Sequence, residues 1–238
     1  MKLRNLRHYI LTLIGAIVLL GNASAVYAIP TLSFSVDGGA AIYCADGDAC
    51  DMSTTPGVVM MSSTFGGVYT VNVTTGVTKP VLPGSNMDLN NVTITTLAPG
   101  AHTLQIMFSE TGFTAYGGAG ASFGGTLSNL LGLPGSTVSA SAYFGTTNTL
   151  FDVGNFIGTS GTIPANGAFG LNFSGPGPNP GGGQFSLTQV LTLNTSGAGT
   201  LFSGDFSLAV NPEPASIVLL GTVLLFTTAA LGRKRRRS

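Results

Sequence analysis

Between Phe185 and Leu193 apolar and polar side chains take turns: Phe185, Leu187, Leu191 and Leu193 share one face, with Gln189 the single polar residue among them. The opposite face carries mostly Ser and Thr. A period of two with β-compatible side chains predicts a half-buried strand. Residues 194–199 supply a turn, and the alternation resumes from Leu201 to Val210 through Phe206 and Leu208. These two runs are predicted to pair as a terminal hairpin. The same rule predicts strands over Thr31–Val36, Gly57–Ser62, Val68–Thr74, Asn91–Leu97, Ala101–Phe108, Thr137–Phe144, Phe151–Phe156 and Ala168–Phe173. Turn signals such as Gly66-Gly67, Pro83-Gly84, Pro99-Gly100 and Pro134-Gly135 punctuate them. Residues 115–133, rich in Gly and Ser, read as a loop or a short helical detour. Many short strands with few helix formers predict an all-β body: an antiparallel β-sandwich, jelly-roll-like.

The pattern changes at both ends. Lys2, Arg4 and Arg7 precede an apolar stretch from Ile10 to Leu20, then the small residues Ala23-Ser24-Ala25 and Val26-Tyr27-Ala28. This order predicts a secretory signal peptide over residues 1–28, handled by the Sec machinery and signal peptidase. A cut after Ala25 or Ala28 fits, and Ala28 is favoured. At the other end, residues 211–238 run through Pro212-Glu213-Pro214, an apolar segment over 215–232, and the basic cluster Arg233-Lys234-Arg235-Arg236-Arg237. Eighteen residues of helix span roughly 27 Å, just under a hydrocarbon core of about 30 Å. A basic cluster next to such a segment stays on the cytoplasmic side. The two prolines keep the backbone between body and membrane extended, ready for a processing enzyme.

Motif, span and basic tail in this order resemble the PEP-CTERM sorting signal of exported bacterial proteins of the Gram-negative type. The resemblance covers the last 28 residues and implies recognition of Pro212, Glu213 and Pro214 by an exosortase. It further implies transient anchoring in the inner membrane, processing, and delivery to the cell surface or beyond. Proteins with this signal accompany exopolysaccharide production, so the resemblance implies a biofilm or matrix role.

Charge sharpens the picture of the body, residues 29–210. It holds eight acids against one base, Lys79, and every other Lys and Arg sits in an end segment. Nucleic-acid binding, which needs clustered cations, is excluded as a function class. The body also has 31 glycines and 10 prolines, just short of the composition typical of low-complexity chains, and its apolar patches argue for folding.

Candidate chemistry is sparse. Cys44 and Cys50, the chain's only cysteines, are predicted to form a disulfide in an oxidising compartment, stabilising by about 2 kcal/mol in the chain-entropy picture. Asp46 and Asp48 inside that loop, with Asp51 just beyond, are candidate calcium ligands, although the spacing copies only the opening of an EF-hand loop. His102, the body's sole histidine, is expected to be structural. No nucleophile elbow, phosphate loop or zinc-protease motif occurs, so no catalytic residue is assigned and the body reads as non-catalytic. The leading function is an exported surface or matrix protein. The alternative is a carbohydrate-binding module, for which Tyr43, Tyr69, Tyr116 and Tyr143 are the available tyrosines in a body without Trp. A secreted hydrolase ranks third.

Overall fold

The computed structural model describes residues 29–114, 117–129, 135–165, 167–177 and 183–212. The expected signal peptide with Ala28, the expected sorting segment from Glu213 to the basic cluster of Arg233–Arg237, and Tyr116 lie outside the described residues. Among those described, no helix is long and apolar enough to cross a membrane.

Among the described residues, thirteen strands form two antiparallel sheets packed face to face. The first sheet contains β1 (Thr31–Val36), β2 (Ile42–Ala45), β6 (His102–Phe113), β8 (Thr137–Gly145), β9 (Asn155–Thr159), β10 (Ile163–Pro164) and β12 (Phe185–Thr195). Its order is β10-β8-β12-β6-β1-β2, with β9 also pairing with β8. The second sheet is β11-β7-β13-β5-β4-β3, built from β3 (Val58–Phe65), β4 (Tyr69–Val77), β5 (Ser85–Thr96), β7 (Gly117–Asn129), β11 (Gly167–Gly175) and β13 (Thr200–Pro212). The sequence-based expectation of an all-β, two-sheet sandwich therefore holds.

The alternation reports correctly which side chains point inward. Leu32, Phe34, Ile106, Phe108, Leu191 and Leu193 of the first sheet are buried against Val71, Leu89, Ile94, Phe123, Phe202 and Phe206 of the second. Phe34 of β1 stacks on Phe65 of β3 across the interface, with ring centroids 4.4 Å apart. Burying a side chain of this size contributes about 2–3 kcal/mol. The polar exception Gln189 is fully buried too, and its Nε2 donates to the Phe206 carbonyl at 2.7 Å, tying β12 to β13 across the core. Tyr69 Oη and Thr195 Oγ1, 2.9 Å apart, make a second polar bridge between the sheets.

Three expectations are corrected. First, β12 and β13 do not form a hairpin: β12 pairs with β6 and β8, and β13 pairs with β5 and β7. The turn after Thr195 carries the chain from one sheet to the other, because each strand brings an apolar face that needs the opposite sheet. Second, most of the stretch read as a loop or helical detour is β7, which lies between β11 and β13. Ala119, Ala121, Phe123 and Leu127 alternate inward there, a period masked by the intervening glycines. Third, the strand expected at Phe151–Phe156 begins only at Asn155. Phe151 has φ +59°, and the Asp152 carboxylate accepts from Gly154 N at 2.8 Å, so a turn occupies these residues. The short edge strand β2 was not expected at all.

Candidate functional site

The outer face of the first sheet is where exposed aromatic side chains gather. Cross-strand partners place Tyr43, Ser33, Met107, Val190, Ser141 and Thr159 in one row, from β2 to β9. The next row runs Ala45, Thr31, Ser109, Thr188, Tyr143 and Phe156. Neither row carries a charged side chain.

Residues 146–154, between β8 and β9, fold back over this face. Phe151 N donates to Ser109 Oγ at 2.9 Å, and Ser109 in turn donates to the Leu187 carbonyl at 2.9 Å. Asn148 Oδ1 accepts from Gly112 N at 2.7 Å, so the segment is pinned to β6 at two places, and within it the Asp152 carboxylate also accepts from Thr147 Oγ1 at 2.7 Å. Pinning carries the Phe151 ring to Tyr43, 5.5 Å between centroids. On the far side Tyr143 and Phe156 form a second pair at 5.5 Å. Tyr43 and Phe156 are each more than half exposed.

The result is a strip of sheet with an aromatic pair on either flank. Between them the cross-strand registers place Val190 and Met107, with Ser141, Thr192 and Gln105 around them. Two strand spacings, about 10 Å, separate the β6 backbone beneath Phe151 from β8 beneath Tyr143. A solvent-facing cluster of aromatic rings beside hydroxyl groups is amphipathic: ring faces accept apolar C–H surfaces, and Ser, Thr and Gln supply hydrogen bonds. A sugar ring presents that same combination. Of the tyrosines weighed from the sequence, Tyr43 and Tyr143 reach this face, whereas Tyr69 is a core residue. The Phe partners were missed, since nothing in the sequence shows that the segment after β8 crosses the sheet.

The other sequence candidates take structural places. Cys44 and Cys50 form the disulfide, with Cα atoms 5.9 Å apart. The three aspartates near it are not brought together: Asp46 Oδ2 accepts from Gly57 N at 2.7 Å, and Asp48 Oδ2 from Ala45 N at 3.0 Å. Asp51 Oδ2 accepts from Gly47 N at 3.1 Å and Oδ1 from Ser53 N at 2.9 Å and Met60 N at 2.8 Å. These carboxylates cap backbone amides and lash the disulfide loop to β3. Among the described residues no group of three metal-ligating side chains converges.

His102 sits at the start of β6, its Nδ1 2.8 Å from Asp37 Oδ2 and its Nε2 3.2 Å from the Pro99 carbonyl. Two acceptors facing two ring nitrogens favour the imidazolium. The hydrogen bond to Asp37 raises the His102 pKa, while that bond and the Thr103 amide lower the Asp37 pKa. The pair's contribution to stability is therefore full between the ordinary carboxylate and ordinary imidazole values. It fades as pH rises through the raised His102 pKa, or falls through the lowered Asp37 pKa. An Asp37→Asn protein is expected to lose thermal stability relative to wild type at pH 5 and to show a smaller deficit at pH 9, read as the difference in unfolding midpoint.

A buried charged cluster escaped sequence analysis. Glu110 continues the inward row of β6 and is fully buried, and burial pushes its pKa up to about 7 against the opposing pull of Thr78 and Lys79. Lys79 Nζ lies 3.6 Å from Glu110 Oε1, donates to the Thr111 carbonyl at 2.8 Å and stands 4.2 Å over the Phe113 ring. Burial lowers the Lys79 pKa, Glu110 opposing.

No family model matches the chain, and no curated protein matches it. Among solved structures it is similar to TmCBM61, described in complex with β-1,4-galactotriose, at 11% identity and a TM-score of 0.36, over 68% of this chain and 92% of that one. It is similar to the xylan-binding module CBM15 at 13% identity and a TM-score of 0.35, over 66% and 99%. The adhesin domain of Epf from Streptococcus pyogenes resembles it at 11% identity and a TM-score of 0.38, over 78% and 60%. Likenesses this distant say nothing about the ligand.

Proposed function

We propose that this is an exported, non-catalytic protein of the cell surface or extracellular matrix whose body holds an uncharged polysaccharide against the outer face of the first sheet. The observation that carries the reading is the pair of aromatic clusters, Tyr43 with Phe151 and Tyr143 with Phe156, flanking a strip of sheet without charge. Eight acids against one base in the body repel anionic polymers, which leaves neutral glycans as the favoured class. The disulfide supports passage through an oxidising compartment.

Export follows from the two ends of the sequence. Signal peptidase removes residues 1–28, the apolar segment 215–232 holds the precursor in the inner membrane, and an exosortase processes it at Pro212-Glu213-Pro214.

Two experiments test this. The mature chain is expected to be retained by insoluble neutral polysaccharide, and a Tyr143→Ala/Phe156→Ala variant to bind at least about tenfold more weakly, the loss of about 1.4 kcal/mol. Retention unchanged in the variant sinks the assigned face. No retention of wild type by any glycan leaves a purely structural matrix protein. In a host with exosortase, wild type is expected to lose its tail and leave the membrane, and Glu213→Ala to accumulate there as full-length precursor.

A further inference from the structure

We propose that the Lys79 amine and the Glu110 carboxyl condense into an intramolecular amide, an isopeptide bond that staples the two sheets together. Lys79 follows directly on β4 of the second sheet, and Glu110 belongs to β6 of the first. No other lysine occurs in the body, and the chain places this one against a fully buried glutamate.

Three features distinguish the pair from an ordinary ion pair. Nζ and Oε1 are 3.6 Å apart, beyond hydrogen-bond distance, and among the described residues no donor satisfies Oε1. The lysine spends a hydrogen bond on the Thr111 carbonyl instead, which leaves the nitrogen next to the carboxyl group but not hydrogen-bonded to Oε1. The second feature is Thr78. Its Oγ1 contacts Glu110 Oε2 and also lies 3.3 Å from the Asn86 carbonyl, which only accepts. One hydroxyl hydrogen cannot serve both. If Glu110 carries a proton on Oε2, it donates to Thr78, which then donates to Asn86, and the geometry is satisfied. The third feature is burial, which penalises charge on the fully buried Glu110 and on the largely buried Lys79 and moves both toward their neutral forms, against the Phe113 ring under Nζ, which favours the ammonium.

Neutral amine beside neutral acid is the reactive combination for amide formation. A proton passes from the Lys79 ammonium to Glu110 Oε2, giving the neutral pair. The Nζ lone pair then attacks Cδ, the C–N bond forms, and the carbonyl electron pair moves onto Oε1. An Nζ proton transfers to the Oε2 hydroxyl, with Thr78 placed to relay it. The Cδ–Oε2 bond breaks, the carbonyl re-forms, and water leaves. One amide and one water result, with no oxidant, reductant or activating group consumed. Fixed proximity replaces activation, since effective molarities of well-placed pairs reach about 10⁵–10⁸ M. The proposal is independent of the polysaccharide reading.

The test uses mature protein purified from its exporting host, unfolded, reduced and treated with an amine-reactive label. It is then digested with chymotrypsin, because Pro80 after Lys79 blocks trypsin. The expected result is one branched peptide joining the Lys79 and Glu110 segments, lighter by one water than their sum, with Lys79 unlabelled. Lys79→Arg is expected to yield two linear peptides. Recovery from wild type of separate linear peptides with labelled Lys79 overturns the proposal. The wild-type map decides even if the variant fails to fold.

Discussion

A Gly125→Val protein is expected to lose about 3 kcal/mol of stability or to fail to fold, the upper range for overpacking a tight site. Gly125 is on the inward face of β7, opposite Gly204 of β13. A Cβ built there meets the Ser203 carbonyl oxygen and sits 2.6 Å from the Gly204 Cα. Both obstacles are backbone of a strand hydrogen-bonded on both sides, so neither yields as a side-chain tip would. Gly120 is the control. It lies on the outer face of the same strand with nothing within 4 Å of its Cβ position, and Gly120→Ala is expected to leave the unfolding free energy from urea titration within about 0.5 kcal/mol of wild type. Equal losses at both positions would contradict the placement of β7 as an interior strand.

Phe123→Ala is expected to cost about 3–5 kcal/mol. Phe123 is the hub of the aromatic core of the second sheet, its ring centroid 5.0 Å from Phe169, 6.0 Å from Phe202 and 5.8 Å from Phe206. Neighbours on β11 and β13 are themselves held in register, so the space left by the ring cannot collapse, and the cavity adds to the lost transfer energy. The measurement is chemical unfolding at constant pH, with an unchanged denaturant slope as evidence that the native fold survives.

These two residues also show why part of the fold was legible and part was not. Where Val, Leu and Phe alternate with Ser and Thr, as in β12, the inward face is readable directly. In β7 Phe123 is one of few large side chains, and the glycines that allow β13 to approach look like loop composition. Pairing was less legible than facing. Alternation says that Leu191 and Phe206 point inward but not that their strands belong to opposite sheets. The site was half legible: Tyr43 and Tyr143 were identifiable as candidates, but Phe151 joins them only because Ser109 captures the backbone of a segment distant in sequence. Glu110 was hidden for a similar reason, since its neighbours come from β4, β6 and the connection between β4 and β5.

The pairing of β13 with β7 continues through Asn211 to Gly118 and Pro212 to Gly117. Pro212, the first proline of the proposed sorting motif, is thus also the final rung of β13, paired there with β7 after the β5 register has ended at Val210. Two residues, Glu213 and Pro214, separate it from the apolar segment 215–232, so under the proposed sorting a membrane-held precursor would have almost no tether between body and lipid. Under that proposal, an enzyme gripping the motif would work hard against the folded body or loosen its last rungs first, and Gly117 and Gly118 opposite offer no side chains to resist the loosening.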